Sequence, residues 1–337
     1  MKKTPYADSV ACAGAVIGAG FASGREVMAF FSRYGKHALW LSVLSAVLMA
    51  ALMFLCMERA QKHQCGENWI ALFGGNPLPG AAVFVLLAMT AGAMISAAGH
   101  LTALLWASRK AYPLGALGTM TAAWLMGRRD LKILSWASAV LTLLLLAALM
   151  MCLAQPVQPS AMITEHVDAP AVWKAAFRAA GYAGMNMTLA AGVACRCGSE
   201  KGNRDTAFAF GILMSVLLVM SSTLYAGKPE WIDAEFPLVA LLAQKGRSGY
   251  LFSVLLLYLS VLTTLVSVVY AMRTAVEAKT NSGSSRMLLV FVLPAALSRF
   301  GFSGIVERFY APAGLLCLLI VFLPLCFRRC SGGQVFS

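Results

Sequence analysis

Four glycines crowd the segment GAVIGAGFASG, residues 14–24, and two ionisable residues, Arg25 and Glu26, follow it directly. Each glycine inside a helix costs about 1 kcal/mol relative to alanine. Gly14, Gly18, Gly20 and Gly24 therefore make a continuous helix expensive here. A helix opened at this point frees two kinds of backbone group. The N–H groups of the outer half, with its positive dipole end, suit a carboxylate. The carbonyls of the inner half suit a cation. A zwitterionic solute accompanied by Na⁺ or a proton matches both. Gly18, Ala19, Gly20, Phe21, Ala22, Ser23 and Gly24 are thus the candidate solute-binding backbone, with Ile17 and Gly20 as candidate Na⁺ donors. Close packing of a neighbouring helix against the small residues is the competing explanation. A leucine at Gly24 should fill the opened space and leave folding intact.

Glu26 and Arg25 are candidates for coupling or gating. A carboxylate within a membrane is costly and usually functional. It either pairs with its neighbour or answers to a proton or a solute amine. Further along, Tyr182, Gly184 and Asn186 supply polar groups near a second glycine cluster, Gly181–Asn186. An unpaired amide in a bilayer is expensive, so Asn186 is expected to meet solute or a neighbouring helix. Ser260, Thr263, Thr264 and Ser267 share one helical face. They can bond back to their own helix, or Ser260, Thr263 and Thr264 can ligate Na⁺ together with the first break. His100 is a lone histidine, either packed and hydrogen-bonded or a protonation-linked gate.

No enzyme constellation is present. The chain has no G-x-S-x-G, no H-E-x-x-H and no phosphate loop, and residues 18–24 are not spaced as a dinucleotide fingerprint. Most cysteines lie in apolar runs. Cys195 and Cys197 form the one close pair, without histidines nearby, which is a poor metal site. No cofactor is expected beyond Na⁺ as a coupling ion.

The elements that position these residues are membrane helices. The 337 residues are 60% hydrophobic and 12% charged, where soluble domains carry about 25% charged residues. The net charge of +13 is scattered through short loops as topology signals and contacts with anionic lipid. It does not form a nucleic-acid surface. A span needs about 20 mostly apolar residues. That ruler gives about ten spans, over residues 8–31, 36–57, 78–108, 112–126, 131–153, 172–193, 206–225, 250–276, 287–299 and 304–326. The first is expected to break at Gly18–Gly24 and the sixth at Gly181–Asn186. Segment 228–247 opens with acidic residues and continues into an apolar stretch, Phe236–Leu242. It should form a short external helix, either a structural cap or a gate. Lys and Arg slightly favour the side of both termini, which puts the termini in the cytoplasm.

Two glycine-broken spans five helices apart suggest an inverted repeat, residues 1–155 and 156–337, in one integral membrane domain. The stretch Val16–Phe31, VIGAGFASGREVMAFF, resembles the first helix of bacterial YkvI-type membrane proteins, relatives of the amino acid–polyamine–organocation transporters. GYAGMN in the sixth span and Thr263-Thr264 in the eighth fit the same picture. The resemblance implies a LeuT-type, all-α fold of five plus five helices. Spans one, two, six and seven would rock against three, four, eight and nine. Solute would lie between the broken helices, and Na⁺ between spans one and eight. Many members of that superfamily have twelve helices, and His100 matches no family pattern. The expected function is cation-coupled transport, with Na⁺ or H⁺, of a small amino-acid-like solute across the bacterial inner membrane. A nutrient sensor that binds without turnover is the alternative. The sequence leaves the oligomeric state open.

Overall fold

The computed structural model describes residues 5–63, 76–127, 140, 143, 144, 147, 148, 169–198, 202–226, 231, 233–277 and 289–327. All regular elements among them are helical. The expected fifth span, 131–153, and the loop after it lie almost wholly outside the described residues.

The first span is broken twice. Helix α1 (Pro5–Val16) ends as the Gly18 N–H turns back to Val16 O at 2.8 Å. Gly18 is extended (φ −91°, ψ −171°), and α2 (Ala19–Ser23) restarts for little more than one turn. Gly24 then sits at φ +79°, a left-handed conformation that costs a side-chain-bearing residue about 1–2 kcal/mol. The Ser23 hydroxyl holds this corner, donating to Gly20 O at 2.7 Å and accepting from the Arg25 N–H at 3.0 Å. Helix α3 (Arg25–Phe30) completes the span.

Four long helices follow the expected registers within a few residues: α4 (Ala38–His63), α5 (Pro77–Leu105), α7 (Ala169–Cys197) and α8 (Asn203–Ala226). Between α5 and α7 comes α6 (Tyr112–Met126). Asn76 caps α5 by accepting from the Leu78 N–H at 3.0 Å, and Pro77 starts it, where the missing N–H costs nothing. The short helix expected within segment 228–247 forms as α9 (Pro237–Ala243), followed by α10 (Arg247–Glu277) and α11 (Leu289–Leu297). The expected single tenth span is divided. Helix α12 (Phe302–Arg308) bends by 87° from the segment before it. Then α13 (Tyr310–Cys317) runs through a π-helical turn, Leu318–Phe322, into α14 (Leu323–Phe327). Five described helices are long and apolar enough to cross a membrane, or six if the bent pair counts as one span.

The sixth span corrects the sequence reading: α7 is one continuous helix of 29 residues, with no break at Gly181–Asn186. Its glycines serve close packing instead. A Cβ on Gly181 would stand 2.5 Å from Ala311 O, and one on Gly184 would meet Gly314 O. Gly314 in turn lies on the Gly181 carbonyl. Three glycines thus let α7 and α13 cross at backbone contact, as small residues do within membranes.

The helices sort into two groups. α1 and α4 each pack on both α7 and α8, and α5 packs with α6, α10 and α11. The broken span joins the groups, because α1 lies on α7 and α8 whereas α2 touches α10. Helix α13 also bridges them, lying against both α7 and α5.

Candidate functional site

The first break is fastened to the eighth span by one side chain. The Ala19 N–H donates to Thr264 Oγ1 at 3.2 Å. A Cβ on Gly18 would stand 3.4 Å from the same oxygen. The other hydroxyls of that face behave differently. Thr263 donates to Ser260 O at 3.0 Å, and the exposed Ser267 to Thr263 O. Ser260 is buried. Of the proposed Na⁺ donors, Thr264 is therefore the one held against the break by a hydrogen bond.

Besides the Gly18 and Ala19 N–H groups, two more of the amides expected to bind a carboxylate are taken by the chain itself. The Ala22 N–H bonds Gly18 O and the Gly24 N–H bonds Phe21 O, both at 3.0 Å. Gly20 and Phe21 are the remaining first-turn amides of α2. Residues 19–24 are all buried. Gly24 has no spare room: a Cβ there would stand 2.5 Å from the Tyr225 hydroxyl. With its positive φ, this overturns the expectation that leucine at Gly24 would leave folding intact.

Behind the break is a buried polar cluster drawn from four elements. Glu26 of α3 is 6% exposed, and its carboxyl occupies the space that a side chain on Gly20 would need. No ion pair among the described residues involves it. Tyr182 of α7 lies beside this carboxyl, and both residues are buried. Tyr310 of α13 is buried within electrostatic reach of Glu26 and beside Thr90 of α5. Both tyrosine hydroxyls are buried without a partner. Asn186 is also buried, and its amide donates to Tyr182 O at 3.0 Å, within the helix. The rings of Phe30 and Phe31 each lie 5.1 Å from that of Tyr182. Tyr182 and Asn186, four residues apart, share one face of α7, whereas Gly184 lies on the opposite face and meets α13.

A charged layer lies beyond this cluster. Arg25 does not pair with Glu26. Successive helical residues diverge by about 100°, and its guanidinium reaches Glu307 Oε1 of α12 at 2.6 Å and Ala234 O at 3.1 Å. Arg33 approaches the same Glu307 oxygen at 3.7 Å, and Arg178 donates to Glu307 O at 3.2 Å. His100, at the end of α5, pairs through Nδ1 with Glu235, beside Ala234. The strand of chain leading into α9 is therefore held from both sides, by Arg25 of the first span and His100 of the third. Phe236 stacks on Phe302 beneath it at 5.6 Å.

Sequence reasoning missed Glu307, Glu235, Tyr310 and Thr90. None belongs to a local motif, and Glu307 lies 282 residues from the arginine it binds. No group of three or more metal-ligating side chains occurs among the described residues.

No family model matches this chain. The chain is similar to the uncharacterized membrane protein YkvI of Bacillus subtilis (strain 168), at 25% identity over 330 aligned residues. The alignment covers 93% of each protein, so the likeness runs through the whole layout and is not confined to one motif. Together with the apolar helices, it makes this chain a membrane protein similar to YkvI, helical in its regular elements among the described residues.

Proposed function

We propose that this protein is a cation-coupled secondary transporter of a small amino-acid-like solute, working by alternating access. The observation that carries this reading is a doubly broken, buried first span, tied to the eighth span through Thr264 and backed by the buried carboxyl of Glu26. Broken backbone at membrane depth is tolerated only where it is buried in protein or lines a cavity. Interrupted helices are a frequent way for transporters to make solute and ion sites.

The solute's carboxylate would meet the free amides at Gly20 and Phe21, and Tyr182 and Asn186 would complete the pocket. Because α7 is continuous, its contribution is made by side chains and not by opened backbone. Na⁺ would sit near Ile17 and Gly20 with Thr264 as the first hydroxyl ligand; a proton coupled through Glu26 is the other cation chemistry. The two packing groups support a LeuT-type division into a moving bundle (α1, α4, α7, α8) and a scaffold (α5, α6, α10, α11). The layer of Arg25, Glu307, Glu235 and His100 would be the external gate, released when the bundle tilts away. In this reading the protein lies in the bacterial inner membrane with both termini in the cytoplasm.

The test is thermal stability of the purified protein against amino acids, related acids and amines, each in Na⁺ and in choline. A ligand at 100 times its dissociation constant stabilises by about 2.7 kcal/mol. A shift for one solute class that requires Na⁺ supports Na⁺ coupling. A shift indifferent to Na⁺ moves the coupling to protons. No shift for any solute removes the amino-acid reading. Binding without flux in proteoliposomes would instead identify a sensor.

A further inference from the structure

Cys195 and Cys197 leave α7 in different directions, because residues two apart on a helix diverge by about 200°. Cys195 donates to Cys56 O of α4 at 3.7 Å. Cys197, the last residue of α7, instead shares a thiol–thiol hydrogen bond with Cys12 of α1. Both are reduced thiols; Cys12 is 0% exposed and Cys197 7%. The packing around them fixes this meeting. Helix α1 lies on both α7 and α8. Ser9, one turn before Cys12 on the same side of α1, donates to Thr206 O of α8 at 2.9 Å. Asp8 and Arg196, of opposite charge, lie within electrostatic reach of Cys12.

A buried thiol on its own packs as a small hydrophobe. Two thiols that face each other across two helices have a further chemistry, because oxidation cross-links them. Their hydrogen bond already turns sulfur toward sulfur, and side-chain rotation supplies the approach to the roughly 2.0 Å of a disulfide. The oxidant is a peroxide. Cys197 is the sulfur with an opening to the surface, so it reacts first. Its thiolate takes one peroxide oxygen, the O–O bond breaks, and a sulfenic acid and one water form. Cys12 then gives up its proton and attacks that sulfur; the S–O bond breaks and a second water leaves with the proton. Each sulfur has lost one electron, and hydrogen peroxide has gained two.

We propose that Cys12 and Cys197 form a redox-sensitive dithiol whose oxidation bolts α1 to the end of α7. Helix α1 is the N-terminal part of the broken first span and joins α2 through the extended Gly18. A few such residues between elements can absorb the backbone rotation of a hinge. The reduced pair leaves α1 held by packing and by Ser9, whereas the disulfide adds a covalent tie. In the orientation proposed above the pair lies toward the cytoplasm, where cellular thiols keep it reduced and peroxide stress closes it.

The test uses full-length protein in detergent, reduced with dithiothreitol, freed of it and exposed to hydrogen peroxide. The protein is then denatured in excess N-ethylmaleimide, digested without reduction and mapped by mass spectrometry. The wild type should yield a peptide pair joined through Cys12 and Cys197, lose two maleimide-reactive thiols and regain both with dithiothreitol. Its thermal midpoint should rise by several degrees, because the bond closes a long loop. Hydrogen–deuterium exchange across residues 5–18 should slow. Cys12→Ala and Cys197→Ala should show none of these changes, and Cys195→Ala should show them all. Three results would each overturn the proposal: no Cys12–Cys197 peptide at peroxide levels that oxidise other cysteines, a Cys195–Cys197 bond in its place, or a joined peptide with midpoint and exchange unchanged. The wild-type mapping decides the matter even where a variant fails to fold. None of these readouts depends on flux, so the dithiol and the transport reading fail separately.

Discussion

Replacing Thr264 by valine separates a structural role from an ion-binding role. Valine has the shape of threonine with a methyl in place of the hydroxyl, so no cavity opens. What is lost is the acceptor for the Ala19 N–H, a 3.2 Å bond to a residue that is 0% exposed. Orphaning a buried N–H costs about 1–3 kcal/mol in water-soluble proteins. Interhelical hydrogen bonds within membranes average about 0.6 and reach about 1.7 kcal/mol. The longish bond favours the lower range, so the ligand-free protein should lose about 1 kcal/mol. Thr264→Ser keeps the oxygen, drops a methyl and should cost about as much, near 0.8 kcal/mol. Stability alone therefore does not distinguish them; Na⁺ does. If Thr264 Oγ1 ligates Na⁺, valine removes an ion ligand worth about 1.5–3 kcal/mol. Half-saturation should then rise at least about tenfold, while serine stays near wild type. The assay is a NaCl titration of the thermal midpoint at constant ionic strength, with choline as replacement. Equal Na⁺ half-saturation in wild type and Thr264→Val would refute the ligand assignment. A wild type blind to Na⁺ would refute Na⁺ coupling altogether.

Three further substitutions probe the frame around the site. Gly24→Ala combines a left-handed backbone costing about 1–2 kcal/mol with a clash against Tyr225; a thermal midpoint at or above wild type would contradict the corner described here. Gly314→Ala drives a methyl into the Gly181 carbonyl and should cost about 1–3 kcal/mol by overpacking, seen as a lower thermal midpoint or lost monodisperse protein. Glu307→Gln leaves the nearly buried Arg25 without its charged partner and should loosen the outer layer; a cysteine introduced at Ala22 should then react faster with an impermeant maleimide added from outside. An unchanged rate would mean that the Arg25–Glu307 contact does not gate access.

The break in the first span was legible because its cause is local. Glycine spacing penalises the helix where it forms, and the opening falls at Ile17–Gly18 with a second corner at Gly24. The short helix α9 was legible for a similar reason: an apolar run follows acidic residues, with Pro237 at its first turn. The sixth span shows the limit. Glycines at 181 and 184 signal either a kink or a close crossing, and the choice depends on Gly314, more than a hundred residues away, with its backbone against them. The same distance hid Tyr310. It lies in an ordinary apolar stretch, and only the crossing of α7 and α13 brings it within electrostatic reach of Glu26. Adjacency in sequence also misled: Arg25 and Glu26 suggest a local pair, yet the helix sends one to Glu307 and the other to the tyrosines.

The central claim is that the broken first span moves a solute by coupling to a cation gradient. The most direct measurement is uptake of labelled amino acids by proteoliposomes containing the purified protein, under an inward Na⁺ gradient, an inward proton gradient or neither. The account predicts accumulation above equilibrium for at least one amino acid under one gradient, lost in Glu26→Gln. Equilibration that ignores both gradients, or no flux of a solute that binds, would contradict it.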